Sequence, residues 1–231
     1  MESSVSCKPT NIRKLSNGPS SGPAPTQWHT LSEIFPTAAT DTAGLGFLLS
    51  KLPASSAPVF WVQDRLSRQE TGHPYLPGLP NRPIIRIDVN RPVDVLWAME
   101  EGLRCTSLAA VVGEIWGDPK ALDFTATKRL VIRAERNGIP CWLVRRAASP
   151  DLSAARNRWR VTSLPSLPHP HDPKAPGDPR WQVELFRARH TQPGTWIATH
   201  DRTADRVDIS SPFRDGPMAK NDGEAKRRAT R

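Results

Sequence analysis

Apolar and polar positions follow two different patterns in the two halves of the chain. From about residue 30 to residue 145, short all-apolar runs predict five strands, at residues 31–35, 59–63, 84–89, 108–114 and 139–144. Helical spacing of apolar residues between these runs predicts three helices: from Thr40-Asp41 to Leu52, from Asn90-Arg91-Pro92 through Leu103, and from Asp118-Pro119 to Asn137-Gly138. Buried strands that alternate with amphipathic helices are typical of a parallel sheet covered by helices on both faces.

After Arg145 the apolar residues alternate with polar ones instead. This period of two is found at residues 158–161, 181–185, 195–198 and 206–209. Alternation predicts strands with one face toward water, added antiparallel to an edge of the sheet. The predicted fold is therefore α/β, with a mostly parallel central sheet and antiparallel edge strands at the C-terminus.

The ends of the chain carry no such pattern. Residues 1–27 are rich in Ser, Pro, Gly and Thr, and residues 211–231 are basic. Such segments bury too little apolar area to offset the entropy of ordering, so both are predicted to be disordered tails. One domain is expected at residues 28–210.

The net charge indicates which class of partner the protein can bind, and the cysteines indicate in which cellular compartment it lies. The net charge is +9, which favours polyanions such as nucleic acid, although basic residues can also simply coat a soluble surface. The cysteines, Cys7, Cys105 and Cys141, are odd in number and lack CxxC spacing, and the last two are expected to be buried, reduced thiols. With no apolar stretch long enough for a membrane span, we expect a cytoplasmic protein.

The loop after the first strand lacks the residues of a phosphate-binding site. Such a site needs glycines that let backbone N–H groups surround the anion, and a lysine. Residues 36–43 contain neither, and Asp41 would repel phosphate. We therefore expect no nucleotide cofactor and no catalysis. Glu114 and Asp64 follow buried strands, where nucleotide-hydrolysing folds hold magnesium, but without a phosphate loop we interpret them as a cap or an ion-pair residue.

The stretch His169-Pro170-His171-Asp172 contains metal-ligand residue types. A tetrahedral site would need a second cluster nearby in sequence, and His190 and His200 are isolated. The surrounding prolines indicate a structured connector, and no metal site is predicted.

Arginines cluster around the later strands and form the candidate binding site. The candidates for contact with DNA or a partner are Arg145, Arg146, Arg156, Arg158, Trp159, Arg160, Arg187 and Arg189. Residues 158 and 160 share one face of a strand, so their guanidinium groups can follow a phosphate backbone while Trp159 stacks on a base. The alternative is a solvated edge strand with Trp159 in the core, and the sequence favours neither.

Five segments resemble the ImuA family of inducible-mutagenesis proteins. They are residues 95–105, 108–116, 123–130, 153–161 and 179–189. The resemblance implies a RecA-like three-layer sandwich in an accessory protein of SOS mutagenesis, the error-prone translesion synthesis induced by DNA damage. The implied partners are ImuB, an inactive Y-family polymerase relative, an error-prone C-family DNA polymerase, and RecA or single-stranded DNA near the nucleoid. It also implies DNA-facing loops at Ile115–Asp118 and Arg146–Asn157.

Two other functions are compatible with the sequence. One is a RecA-type ATPase with an unorthodox nucleotide site around Glu114 and Asp64. The other is a cell-division inhibitor, since RecA-like remnants also resemble the SulA group.

Overall fold

The described residues fold into one mixed sheet with helices on both faces. A computed structural model describes residues 29–76, 79, 82–172, 174–201 and 206–210. The predictions for the tails at 1–27 and 211–231 lie outside these residues. The strands are β1 (Leu31–Pro36), β2 (Val59–Gln63), β3 (Ile84–Asp88), β4 (Ala110–Trp116), β5 (Cys141–Arg146), β6 (Asn157–Leu164), β7 (Arg180–Ala188), β8 (Gly194–Asp201) and β9 (Arg206–Ser210). The helices are α1 (Ala43–Lys51), α2 (Arg65–Thr71), α3 (Pro92–Gly102) and α4 (Phe124–Asn137).

The strand order confirms the predicted fold class. It runs β3-β2-β4-β5-β1-β6-β7-β8-β9. Every pair from β3 to β6 is parallel, and β6 to β9 pair antiparallel. This arrangement is consistent with the RecA-like sandwich that the resemblance implies. The carboxyl ends of β1, β2, β4 and β5 therefore meet at one edge of the sheet, where ligands bind in folds of this type.

Two apolar cores lie on the two faces of the sheet. The α1 face carries Ile34, Trp61, Trp142 and Trp159, and the opposite face is covered by α3 and α4. Helix α1 packs so closely on its face that a Cβ at Gly46 would lie 2.7 Å from the Trp181 ring. Within the described ranges, none of the helices has the length and hydropathy for a bilayer span.

The structure differs from the predicted helices in two places: it contains one helix that was not predicted, and another helix begins later than predicted. Helix α2 was not predicted, because its seven residues show no apolar stripe; it begins where the Asp64 carboxylate accepts a hydrogen bond from the Ser67 N–H (2.7 Å). Helix α4 begins at Phe124 instead of Asp118-Pro119. Its cap is Asp123, which accepts from the Ala126 N–H at 2.7 Å, so an Asp five residues after Asp118 begins the helix instead of the predicted one.

The two cysteines that the structure describes lie in different environments. Cys141 is buried in β5, as predicted, and burial raises the pKa of its thiol. The prediction for Cys105 was wrong, because this residue is exposed. Helix α3 ends at Gly102, so Cys105 falls in the following turn instead of on the apolar face of the helix.

Candidate functional site

The Glu114 carboxylate occupies the edge where the parallel strands end, and it is fully buried. Its Oε1 accepts hydrogen bonds from Trp61 Nε1 at 2.8 Å and Gln63 Nε2 at 2.9 Å. Its Oε2 accepts from Arg146 Nε at 2.9 Å. The three donors come from the neighbouring strands β2 and β5, so the carboxylate is an ion-pair residue, as interpreted from the sequence.

Arg146 also reaches across to the loop after β1. Its Nη1 donates to the carbonyl oxygens of Ala39 (3.0 Å) and Asp41 (3.3 Å). The loop therefore directs carbonyl groups toward a buried guanidinium, whereas a phosphate cradle directs N–H groups toward an anion. This polarity is the opposite of what phosphate binding requires.

The acidic residues of this edge accept hydrogen bonds from neighbouring segments of the chain. Burial raises the pKa of Asp41, but hydrogen bonds from Ser163 and Ala43 and the charge of Arg146 outweigh it, and the pKa is lowered overall. Besides capping α2, the Asp64 carboxylate accepts from the Trp116 N–H at 3.1 Å. The interpretation of Asp64 as a capping residue is confirmed.

A second buried carboxylate, Glu33, organises the opposite face of the sheet. It accepts hydrogen bonds from Arg158 Nε (2.7 Å) and Ser153 Oγ (2.9 Å), and Arg145 Nη1 lies 3.8 Å away. Arg145 Nη2 in turn donates to Asp118 at 2.6 Å. Asp118 also accepts from the Ser149 N–H at 3.0 Å, so the two loops implied to face DNA are tied to each other.

Half of the predicted site residues are buried in this structure. The guanidinium groups of Arg145, Arg146 and Arg158 are at most 5% exposed and pair with carboxylates. Trp159 is 1% exposed and packs with its ring centroid 5.1 Å from that of Phe47. The side chain of Trp159 points into the α1 core, so no face of its ring is open for stacking on a base. The alternative is correct for the core position of Trp159 but wrong for the solvated edge strand, because β6 lies between β1 and β7.

The arginines at 158 and 160 do share a face, as the alternation predicts. Both guanidinium groups lie over the Phe186 ring, at 5.3 Å and 5.1 Å from its centroid. Arg160 is half-exposed and pairs with Glu184. The two guanidinium groups on this face thus pack on an aromatic side chain of β7. Of the two arginines, only Arg160 reaches solvent.

The remaining candidates, Arg156, Arg187 and Arg189, meet at the surface beside α4. They line a groove of about 340 Å³, which we call the α4 groove. Its lining residues are Phe124, Lys128, Val131 and Ile132 on α4, Ser153–Arg156 before β6, and Arg187–Arg189 at the end of β7. The α4 residues were not predicted as site residues, although the spacing of Phe124, Lys128 and Ile132 places them on one side of a helix.

One carboxylate beside the α4 groove holds Arg156 in place. Glu135 accepts from Arg156 Nε at 2.7 Å and Nη2 at 3.1 Å, and from Thr30 Oγ1 at 2.9 Å. The hydrogen bond from Arg156 is the main cause that holds the pKa of Glu135 below its ordinary value of 4.5.

The lowered pKa of Glu135 predicts a pH-dependent contribution to stability. Because the folded pKa lies below the unfolded one, the contribution is present above pH 4.5 and is lost as the pH falls through the folded pKa. Glu135→Gln should therefore destabilise the protein at pH 7, and its difference from wild type should shrink toward zero in acid. Urea unfolding at pH 7 and at steps down to pH 3 measures this. Glu70→Gln, at an exposed position, is the control, and a Glu135→Gln difference that does not change with pH contradicts the prediction.

A second basic concavity lies on the other side of Ile132. It has a volume of about 610 Å³ and is lined by Arg104, Arg129, Ile132, Arg133, Arg136 and Asn137. Glu100 pairs with Arg129 (2.8 Å) and Arg133 (3.2 Å). Ile132 lines both concavities, so the basic surface is continuous across the outer side of α4.

The histidine stretch is an internally bonded loop in the structure. The His171 N–H donates to His169 Nδ1 at 3.2 Å, and Pro168 forms an isolated bridge with Pro176. Among the residues that the structure describes, no group of three or more His, Cys, Asp and Glu side chains is arranged to hold a metal ion.

Comparison with known proteins gives one kind of relative. No protein-family model matches the chain. The chain is similar to the protein named ImuA from two strains of Caulobacter vibrioides, with 36% identity over 149 residues. The matched stretch covers 60% of this chain and 59% of each relative, so less than two thirds of the relatives' length is represented.

Proposed function

We propose that this chain, which belongs to the ImuA family, is a non-catalytic accessory factor of damage-induced (SOS) mutagenesis. In this function it supports error-prone translesion synthesis by bringing together an ImuB-type inactive Y-family polymerase and an error-prone C-family DNA polymerase. RecA and single-stranded DNA are the further partners of the proposal.

The observation that carries the non-catalytic part is the position of Arg146. Its guanidinium hydrogen-bonds to the carbonyl groups of the loop where a nucleotide's phosphates would bind, and it pairs with Glu114. A carboxylate that already accepts three hydrogen bonds has little capacity left to bind magnesium or to orient water. These contacts suit a structural network of hydrogen bonds and an ion pair.

The binding part of the proposal is supported by the charge of the exposed surface. Arg156, Arg187 and Arg189 lie together at the α4 groove, next to the second basic concavity. Arginine is enriched at protein interfaces and in polyanion recognition, so this surface suits the contacts that a bridging factor makes.

A genetic experiment tests the function. In a strain deleted for the gene, we expect the frequency of ultraviolet-induced mutations to fall, with recovery when the wild-type gene is returned. Survival is scored in parallel to separate mutagenesis from repair. An unchanged frequency of induced mutations in the deletion strain would sink the proposal, and filamentation on overexpression would favour division inhibition instead.

A biochemical experiment tests the absence of catalysis separately. Purified full-length protein should show no shift of its melting temperature with millimolar ATP and magnesium, and no phosphate release. A saturable shift accompanied by hydrolysis would establish the ATPase alternative.

A further inference from the structure

Three apolar side chains stand exposed on or beside the α4 groove, where intramolecular packing does not require them. Phe124 is 43% exposed, Ile132 is 53% exposed, and Leu152, directly before the 153–156 wall of the groove, is 71% exposed. Phe124 and Ile132 are eight residues apart on one helix, which separates them by about 12 Å along its axis. Clustered apolar side chains within a polar surface are typical of an interaction site.

Positive charge surrounds these apolar side chains. The cations of the two concavities are Arg104, Lys128, Arg129, Arg133, Arg136, Arg156, Arg187 and Arg189. The acidic residues paired with members of this set are Glu100, Glu101 and Glu135. Within the described part of the chain, Lys128 and Arg187 form no ion pair, so the groove has cationic groups available for a ligand.

We propose that the α4 groove binds an acidic amphipathic helical segment of a partner protein. Large apolar residues lie on one face of this helix, and Asp and Glu lie on the other. The apolar residues would cover Phe124 and Ile132, and the carboxylates would pair with Lys128 and Arg187. This inference rests on the proposed function, because it names the surface and the chemistry through which the accessory factor meets a protein partner.

The charge of the chain itself argues against the other protein occupants. Residues 1–28 contain one acidic and three basic residues, and residues 211–231 contain three acidic and six basic residues. Both tails are therefore positive, like the groove. A second copy of the chain also carries a net charge of +9, so a partner of opposite charge is the complementary one.

The composition of the groove favours protein over nucleic acid. Single-stranded nucleic acid binds to aromatic platforms on which successive bases stack, and Phe124 is the single aromatic residue of the lining. Exposed aliphatic side chains such as Ile132 and Leu152 add no base-stacking surface, whereas they suit the apolar face of a helix laid into a groove.

The probe is a fluorescein-labelled 18-residue peptide with Leu and Phe on one helical face and Glu on the other. A scrambled peptide of the same composition and labelled oligothymidylate serve as comparison ligands. Full-length protein is titrated and anisotropy is measured. We expect the amphipathic peptide to bind, and Ile132→Ser or Arg187→Glu to weaken binding by about tenfold each.

Two variants control for the effects of apolar loss and of charge reversal. Trp97→Ser removes an exposed aromatic residue of α3, and Arg65→Glu reverses an exposed charge on α2; both should bind like wild type. Equal binding of the scrambled peptide, absence of peptide binding, or wild-type affinity of Ile132→Ser overturns the proposal. Binding of oligothymidylate that is lost in Arg187→Glu but kept in Ile132→Ser also overturns it, and assigns the groove to nucleic acid.

The same variants separate this inference from the proposed function in cells. If deletion of the gene abolishes induced mutagenesis and Ile132→Ser/Arg187→Glu restores it fully, the function stands and the groove inference fails. If deletion has no effect, the proposed function fails, while peptide binding in vitro still tests the groove.

Discussion

Replacement of Glu114 by alanine is expected to lower the free energy of unfolding by about 3–5 kcal/mol, since it leaves the buried Arg146 guanidinium without its counter-charge. Trp61 Nε1 loses its acceptor in the same substitution, and an unsatisfied buried donor adds to the cost, whereas Gln63 Nε2 keeps the Gly72 carbonyl oxygen as an acceptor at 2.9 Å. The Ala39 and Asp41 carbonyls would then be the remaining acceptors for Arg146.

Urea unfolding followed by circular dichroism measures this effect. Glu70→Ala, at an exposed position of α2, is the matched control and should change stability by no more than about 0.5 kcal/mol. The double variant Glu114→Ala/Arg146→Met should cost less than the sum of the single variants, because no charge remains buried. A loss below about 1 kcal/mol for Glu114→Ala would mean that water or another group replaces the carboxylate.

This prediction affects how mutagenesis data are read. Loss of function in Glu114→Ala would follow from unfolding and would not identify a catalytic residue. Nucleotide binding by the wild-type protein is the informative measurement.

Glu33→Ala is expected to destabilise the protein by a similar amount, about 3–5 kcal/mol, because Glu33 neutralises Arg158 directly and lies near Arg145. These three side chains lie on the face of the sheet opposite to that of Glu114. It also removes the acceptor of Ser153 Oγ, which anchors the segment before β6. The loss should therefore be accompanied by faster amide exchange in residues 147–156.

Urea unfolding and hydrogen exchange by mass spectrometry test both parts. The control is Glu184→Ala, which breaks the half-exposed pair with Arg160 and should cost no more than about 1 kcal/mol. Equal costs for Glu33→Ala and Glu184→Ala would show that burial does not strengthen the Glu33 network.

The burial of the arginines on β5 and β6 could not be predicted from residue type. Alternation along β6 predicts that positions 158 and 160 share a face, and this holds. It does not reveal that Glu33, 125 residues away in sequence, lies beside Arg158 on the neighbouring strand, because that contact depends on parallel pairing of β1 with β6. Arg146 is buried for the same reason, through pairing of β5 with β4.

Only one side of the α4 groove could be predicted from the sequence. Its α4 side is visible in sequence as the spacing of Phe124, Lys128 and Ile132. The other side comes from residues 153–156 and from the end of β7, and the Arg189 N–H donates to the Arg156 carbonyl to hold these two segments together. Long-range pairing of this kind has no local signature.

The sequence by itself determined the order of the strands along the chain, the mostly parallel sheet with antiparallel strands at the C-terminus, and the lack of glycine and lysine in the loop after β1, because each depends on local periodicity and residue type. Tertiary structure alone decided which charged side chains are buried. Burial depends on which strands become neighbours, and the order β3-β2-β4-β5-β1-β6 brings carboxylates and guanidinium groups together from distant parts of the chain. Arg145, Arg146 and Arg158 thus stabilise the fold, while Arg156, Arg187 and Arg189 remain at the surface.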